Sequence, residues 1–398
     1  MIKKFGQYFT KDSSLQNKVV EFIKNNPSLI LEPSVGQGHL VKAVKNTFPS
    51  VSFDCYEIDE KLNLIVNKDE ISLTYCDFLT QSINKKYNTI IGNPPYVKTK
   101  HGNLYIDFIE KCVNLLDDSG ELIFIVPSDF FKLTSASSLI NSMLNEGKIT
   151  HVYHPHNENL FEHASIDVIV FRYEKTNLRG GIPRSRSEAE IQSDNSVLYN
   201  DSILYLNNSN GIITFSNSES SQDLKYVSDY FNVYVGMVSG KDSVFQSSEL
   251  GNINVLTDEN HYEKFIYYED FPALKKTQNY LLNHKDELIS RKIKKFNENN
   301  WWKWGAPRNI STIKKNFNKK CIYIKNLTRN KTIAFIGNVT YFSGSLLLLI
   351  PINENINLDL FVNFFNSDKF KFNYMYSQRF KIGHKQLCNS VIPSEILN

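Results

Sequence analysis

The sequence predicts an α/β protein in which a Rossmann-like domain precedes a mixed α+β domain. Over residues 1–175, short apolar runs alternate with amphipathic segments, as in a sheet flanked by helices. The remainder is rich in aromatic and basic residues and lacks that regularity. With 398 residues, 13% of them aromatic, the chain is long enough for two separate cores.

Apolar runs and helical spacing define the elements of the first domain. Two segments, 38–46 and 105–116, have the apolar spacing of helices. A nucleotide-like ligand would lie at the carboxyl ends of the strands. Six strands are predicted: Leu29–Glu32, Ser52–Glu57, Leu73–Tyr75, Thr89–Gly92, Glu121–Val126 and Asp167–Tyr173.

A change in composition divides the chain. Residues 176–196 contain Gly-Gly, Pro and Arg-Ser pairs and predict a linker or a surface loop. We therefore expect one domain over residues 1–175 and a second over residues 197–398.

Charge separates the same two halves. Residues 1–175 carry 18 Lys/Arg against 21 Asp/Glu, whereas residues 176–398 carry 27 against 21. Within residues 285–331 the balance is 14 basic to 3 acidic side chains. This pattern fits a catalytic domain joined to one that binds a polyanion, although a solvated lysine-rich face would have the same composition.

Cysteine usage and hydropathy limit the class of protein. The five cysteines are scattered, which favours a reducing compartment over a disulfide framework or a zinc ribbon. The sequence opens on polar residues, and no apolar run approaches the ~20 residues that span a bilayer. We expect a cytoplasmic protein, of bacterial origin or made in a virus-infected cell.

The ends of the first three strands carry residues suited to a nucleotide-like ligand. The first strand ends at Glu32 and enters a turn with Ser34, Gly36 and Gly38, whose glycines permit a close backbone approach. The turn lacks the third glycine of the dinucleotide fingerprint and is weak alone. The next strand ends in Glu57-Ile58-Asp59, and the third is followed by Asp77-Phe78.

The segment Asn93-Pro94-Pro95-Tyr96 follows the fourth strand. Two prolines remove two backbone donors, so the loop presents acceptors, namely the Asn93 side-chain oxygen and the Pro94 carbonyl. Such a loop can hold an amine by both hydrogens while Tyr96 offers a flat face for a base. A rigid turn without a catalytic role is the alternative.

These motifs together resemble those of adenine-N6 DNA methyltransferases. The resemblance covers most of residues 5–173 and adds residues 5–10, which spell Phe-Gly-Gln-Tyr-Phe-Thr. The motif order is similar to that of the gamma class, the TaqI-like enzymes of restriction–modification systems. It implies S-adenosyl-L-methionine as cofactor and a C-terminal target-recognition domain.

The resemblance also implies roles for individual residues. Cofactor contacts fall to Phe9, Thr10, Glu32, Ser34, Gly36, Gly38, Glu57, Ile58, Asp77, Phe78 and Asn93. The catalytic set is Asn93, Pro94, Pro95 and Tyr96, with Phe161 as a second aromatic against a flipped adenine. Segments 235–242 and 304–309 are similar to recognition segments, and with the basic stretch they nominate Gly236, Lys241, Trp304, Arg308, Lys314 and Lys315 for DNA binding.

Double-stranded DNA is therefore the expected partner of a monomeric enzyme, and the resemblance leaves open whether a cognate restriction endonuclease acts on the same site. Three alternatives stay open: an RNA methyltransferase, a protein-glutamine methyltransferase and a non-catalytic DNA-binding subunit. The histidines at 151, 154, 156 and 163 are expected to bind no metal, and Asp129 with Glu146 and Lys148 only faintly suggests a nuclease. Buried packing is the alternative role for the tryptophans.

Overall fold

The computed structural model describes residues 8–99, 102–162, 164–176, 195–217, 219 and 224–396. The chain divides into two compact units, Met1–Asp223 and Leu224–Asn398.

The first unit is built on a ten-stranded sheet. Its order is β10-β9-β8-β6-β7-β5-β4-β1-β2-β3. Strands β1 to β5 run parallel, and β7 pairs antiparallel with both β5 and β6. The strands are β1 (Leu29–Glu32), β2 (Ser52–Glu57), β3 (Ser72–Tyr75), β4 (Tyr87–Gly92), β5 (Leu116–Pro127), β6 (Gly147–Tyr153), β7 (Val168–Lys175), β8 (Ser196–Tyr199), β9 (Ser202–Ser209) and β10 (Ile212–Ser216).

The central strands of the sheet are apolar and buried. The middle of β5, Gly120–Val126, is buried without interruption, as expected for a strand covered on both faces. Two apolar clusters of the first unit include residues of β4 and β5, with Ile90 and Phe124 in one and Ile91 and Ile123 in the other. The helices are α1 (Ser13–Phe22), α2 (His39–Thr47), α3 (Leu104–Leu115) and α4 (Ser137–Glu146).

Strand order positions the site. The chain runs outward from β1 to β2 and β3 and then returns to β4 on the other side of β1. The direction of winding therefore reverses between β1 and β4, and ligands of open α/β sheets bind outside the carboxyl ends of the strands at such a point.

The predicted elements of the first domain are confirmed, but the predicted boundary is wrong. All six strands and both helices form within a few residues of the expected bounds. Strand β8 pairs parallel with β6, and β9 and β10 extend the same sheet. The second unit therefore begins at Leu224 and not at residue 197. Of the predicted linker, residues 177–194 lie outside the described residues.

The second unit has a four-stranded antiparallel sheet of order β12-β18-β15-β17 and three small sheets. Separate apolar clusters contain Tyr323 and Ile322 of β15. Its strands are β11 (Lys225–Tyr226), β12 (Phe231–Val235), β13 (Ile253–Asp258), β14 (His261–Phe265), β15 (Lys320–Lys325), β16 (Leu327–Thr328), β17 (Ala334–Asn338), β18 (Leu346–Pro351), β19 (Met375–Tyr376), β20 (Arg379–Lys381) and β21 (Val391–Ile392). Its helices are α5 (Val227–Tyr230), α6 (Asp242–Phe245), α7 (Lys275–Asn283), α8 (Lys285–Ile289), α9 (Ile310–Asn316), α10 (Leu358–Asn366), α11 (Asp368–Phe372) and α12 (His384–Cys388).

None of the helices in these described ranges has the length and apolar character needed to cross a membrane.

Candidate active site

A cleft in the first unit opens where β1, β2, β3 and β4 end. The strand ends, the segment that begins at Tyr8 and helix α3 together form its walls. The lining residues are Tyr8, Phe9, Pro33, Ser34, Gly36, Glu57, Ile58, Cys76, Asp77, Phe78, Leu79, Asn93, Pro95, Val97, Leu104 and Phe108, and an adjoining cavity adds Thr10 and Glu32. The structure therefore brings nearly all predicted cofactor residues to one place.

The turn after β1 has the backbone that its glycines predict. Gly36 and Gly38 both have positive φ, +55° and +87°. A Cβ at Gly36 would lie 3.4 Å from the Phe9 ring, and one at Gly38 would lie 2.9 Å from the Val66 side chain. Glycine is thus required at Gly38 on conformation and on space, and Gly36 lets Phe9 cover the turn.

Glu57 holds this turn in place. Its carboxylate accepts hydrogen bonds from the backbone N–H groups of Gly36 (2.8 Å), Ile58 (3.0 Å) and Asp59 (3.0 Å). Burial raises the pKa of Glu57 even though these three donors lower it. Since a carboxylate has about four acceptor sites, about one remains for a hydroxyl of a ligand.

Glu32 is a buried carboxyl group with few hydrogen-bond donors around it. Its side chain is 2% exposed, and its hydrogen-bond donor is the Ser34 N–H at 3.3 Å. Burial raises the pKa of Glu32 well above its ordinary value. A buried carboxylate is costly unless it is paired, so the amino group of a bound amino-acid moiety would satisfy it. This geometry fits the methionine end of the expected cofactor.

The side of the cleft formed after β2 and β3 combines polar and apolar groups. Ile58 is 50% exposed at the cleft, where its side chain can pack on a flat ring. Asp77 accepts from the Leu79 N–H, and Phe78 is buried. Lys111, on α3, was not singled out from the sequence, yet its ammonium donates to the carbonyls of Phe78, Leu79 and Gln81. Lys111 thereby fixes the loop that carries Asp77.

Asn93 joins the cleft to the loop that follows β4. Its amide Nδ2 donates to the Tyr8 carbonyl at 2.7 Å and to the Thr10 hydroxyl at 3.0 Å, while Oδ1 accepts from the Tyr96 hydroxyl. The Ser34 hydroxyl lies 3.4 Å from the Asn93 carbonyl. These bonds orient Oδ1, which retains one acceptor site because an amide oxygen has two lone pairs.

Three aromatic rings meet beside Asn93. Tyr8 stacks on Tyr96 with ring centroids 5.4 Å apart and planes at 25°. Phe161 meets Tyr96 edge-on at 6.3 Å, and Tyr105 does so at 6.0 Å. The predicted pair, Tyr96 and Phe161, is thus adjacent. Tyr8, which belongs to the motif at residues 5–10 but received no role there, joins them.

Two of the predicted DNA-binding residues are interior residues of the second unit. Trp304 is 2% exposed, and its indole N–H donates to the Ile266 carbonyl at 2.8 Å. Gly236 is buried, and a Cβ there would lie 1.9 Å from the Ser343 carbonyl. The prediction of DNA contact was wrong for both, because close packing excludes them from the surface. Trp301 is also buried, as the packing alternative predicted.

The four predicted cations differ in their partners. Lys241 pairs with Glu287 at 2.5 Å, and Lys314 pairs with Glu269 at 3.2 Å. Arg308 and Lys315 are exposed and form no ion pair within the described part of the chain. These two are therefore the more available to a phosphate.

The two segments that were similar to recognition segments are neighbours. Val238 and Ala306 exchange backbone hydrogen bonds of 2.9 Å, and the Gly305 N–H donates to the Ser239 carbonyl. The buried Arg291 guanidinium donates to the carbonyls of Ser239, Trp301 and Lys303 and of Leu288. Arg291 thus ties segment 235–242 to the residues that directly precede segment 304–309, a role that its position in a basic run does not reveal.

The crowded histidines have structural partners. His154 lies 2.8 Å from the Asp167 carboxylate and 3.2 Å from the Tyr199 hydroxyl, and the tilted ring of His156 packs against it. His151 packs against Phe22. Across the described residues, no group of three or more His, Cys, Asp or Glu could hold a metal ion. His163 lies outside them.

Comparison with known proteins agrees with this geometry. Residues 9–161 match the family model of the Eco57I restriction-modification methylases. The type II methyltransferase M.HindII of Haemophilus influenzae is 26% identical over 79% of this chain and 73% of its own length, and M.HincII of Haemophilus influenzae is 26% identical over 79% and 72%. The chain is thus similar over most of its length to type II methyltransferases of restriction–modification systems.

The match to the methylase family model implies S-adenosylmethionine as the cofactor, in keeping with the cleft. A solved structure of the type IIL restriction-modification enzyme MmeI in complex with DNA has the same fold, with a TM-score of 0.58 and 11% identity. The match covers 94% of this chain and 63% of that chain.

Proposed function

We propose that this protein transfers a methyl group from S-adenosylmethionine to the exocyclic N6 amine of adenine in duplex DNA, as the modification enzyme of a restriction–modification system. The observation that carries the proposal is the position of Asn93. Its side chain borders the cofactor cleft on one side and the Tyr96–Phe161 aromatic pair on the other. A methyl donor and a planar acceptor would therefore meet at Asn93.

The loop is suited to an exocyclic amine. The remaining acceptor site on Asn93 Oδ1 and the Pro94 carbonyl can each accept one hydrogen of an NH₂ group, which leaves the nitrogen lone pair free for attack. S-adenosylmethionine, when bound, supplies a methyl group activated by its sulfonium, so no covalent enzyme intermediate is required. Catalysis by these residues would come from orientation and from preorganised hydrogen bonds.

A flipped base is the form of substrate that the site can accept. Within a duplex, the adenine N6 amine is paired and cannot reach a buried donor, so the base must leave the helix. Tyr96 and Phe161 meet at 80° and would hold a base by one stacked and one edge contact.

The second unit has the charge expected of a DNA-binding domain. With the boundary at Leu224, it carries 24 Lys/Arg against 15 Asp/Glu, whereas the first unit carries 21 against 27. A net charge of +9 favours a polyanion, and a methyltransferase for a protein glutamine has no need of it. We propose Arg308 and Lys315 as phosphate or base contacts, since both are exposed and unpaired among the described residues.

The experiment offers labelled S-adenosylmethionine with duplex DNA, structured RNA and protein extract in parallel. Label is expected in DNA alone, and hydrolysis to nucleosides is expected to yield N6-methyladenine. N4-methylcytosine would overturn the assignment of the base, and label in RNA or protein would overturn the assignment of the polymer. The same assay on Asn93→Ala, with Asn84→Ala at an exposed position as its control, tests whether the activity depends on the loop.

A further inference from the structure

The ring of Tyr8 lies where the proposed function puts the substrate. Among the neighbours of Tyr96, Phe161 and Tyr105 meet its ring edge-on, whereas Tyr8 stacks nearly parallel to it at 5.4 Å. Tyr8 also contacts Phe161, at 5.8 Å. It therefore touches both rings that are assigned to the target base, and a base cannot share the face of Tyr96 that Tyr8 covers.

A hydrogen bond anchors the main chain of Tyr8, whereas its ring is held by aromatic contacts alone. The carbonyl accepts the 2.7 Å hydrogen bond from Asn93, and Lys11 pairs with Glu162 beside Phe161 at 2.7 Å. The half-buried ring is held by aromatic contacts, and its hydroxyl has no hydrogen-bond partner in the described part of the chain. Rotation of the side chain would free Tyr96 without breaking the bond to Asn93.

We propose that Tyr8 is a residue of the target-base site, whose ring occupies the place of the base on Tyr96 until a flipped base displaces it. The inference rests on the proposed function, because it takes Tyr96 as the stacking surface. Displacement costs the stacking of Tyr8 on Tyr96, and that cost opposes entry of the base. Tyr8 is therefore a determinant of how readily a base is extruded and retained.

Tyr8→Ala isolates the ring because it keeps the carbonyl that Asn93 uses. Two duplexes contain the modified sequence, which is first mapped in the DNA of expressing cells. One has the target adenine, and the other has an abasic site in its place. Only the first requires Tyr8 to move, so the ratio of the abasic to the adenine dissociation constant reports the displacement and cancels contacts common to both.

Tyr8→Ala is expected to raise this ratio about two- to tenfold, which is the range for one offset-stacked pair of rings. Tyr8→Phe keeps the ring and is expected to retain the wild-type ratio. Tyr8→Leu, which is apolar but not flat, is expected to raise it as well and serves if Tyr8→Ala unfolds early. Fluorescence anisotropy of the full-length protein with sinefungin measures all four proteins.

Two results would overturn the proposal. An unchanged ratio in Tyr8→Ala and Tyr8→Leu would make the ring a structural filler. A lowered ratio would mean that Tyr8 stacks on the base in the complex. Failure of the proposed function would give a different result, because the wild-type protein would then transfer no methyl group to DNA.

Discussion

Two buried ionisable side chains, Glu32 of the first unit and Arg291 of the second, differ in how far the fold satisfies them. In the first, Glu32 is 2% exposed and accepts from one backbone N–H, facing a cavity that adjoins the cleft. In the second, Arg291 is 8% exposed and donates to four backbone carbonyls. A buried charge that is satisfied by its own fold is structural, whereas one left partly unsatisfied at a cavity is suited to a ligand. The comparison separates binding groups from scaffold without reference to sequence motifs.

The two units also differ in net charge. The first unit is acidic and the second basic, and the corrected boundary sharpens the difference. Within the second unit, however, several cations are neutralised by carboxylates, as Lys314 is by Glu269. The number of basic residues therefore overestimates the number of available phosphate contacts.

The separate apolar cores of the two units predict that each unit unfolds by itself. Trp304→Ala should destabilise the second unit by about 3–5 kcal/mol, because it empties a buried indole site and leaves the Ile266 carbonyl unpaired. Calorimetry should show the transition of the second unit at a lower temperature, while affinity for S-adenosylmethionine is retained. A single transition that shifts as a whole would contradict independent units.

Removal of the catalytic amide should affect the first unit alone. Asn93→Ala is expected to lower the turnover by about 10²–10³-fold, as loss of a preorganised hydrogen-bonding group does. Cofactor affinity by titration calorimetry should change far less, and Asn84→Ala should match the wild type. Near-normal turnover in Asn93→Ala would refute its role.

Glu32 should show opposite effects on stability and on binding. Because burial raises its folded-state pKa, the cofactor-free protein loses stability as pH rises from the unfolded pKa, about 4.5, through the raised value. Glu32→Gln should therefore melt at a higher temperature at neutral pH, yet bind S-adenosylmethionine about tenfold or more weakly.

The pH dependence provides the check. Wild-type affinity for the cofactor should fall as pH drops through the Glu32 pKa, whereas the affinity of Glu32→Gln should depend less steeply on pH, because Glu57 alone remains to titrate. Glu60→Gln, at an exposed position, is the matched control. Unchanged affinity in Glu32→Gln would remove Glu32 from the cofactor site.

Adjacent lysines give the smallest effect. Lys315→Ala should reduce the slope of log affinity for DNA against log salt by about 0.9, the value for one phosphate contact. Lys314→Ala should reduce it less, because Glu269 already neutralises that ammonium. The slopes are measured by fluorescence anisotropy across a salt titration. Equal reductions of the slope in the two variants would mean that the Lys314–Glu269 ion pair opens on DNA binding.

The sequence alone determined the first unit in considerable detail. Strand ends could be located from apolar runs, and in a parallel sheet the carboxyl ends share one edge, so Glu32, Glu57, Asp77 and Asn93 were expected together. The order of motifs along the chain also indicated the family. These inferences succeed because each motif is contiguous and directly follows a strand.

Tertiary structure decided what depends on distant contacts. Pairing of β8 with β6 moved the domain boundary, and packing placed Trp304 in a core. Stacking of Tyr8 on Tyr96 joins residues 88 positions apart, and Arg291 is buried within a basic run. Composition records which side chains are available, but burial and partners are set by the fold, since the same lysine or tryptophan is stable in either environment.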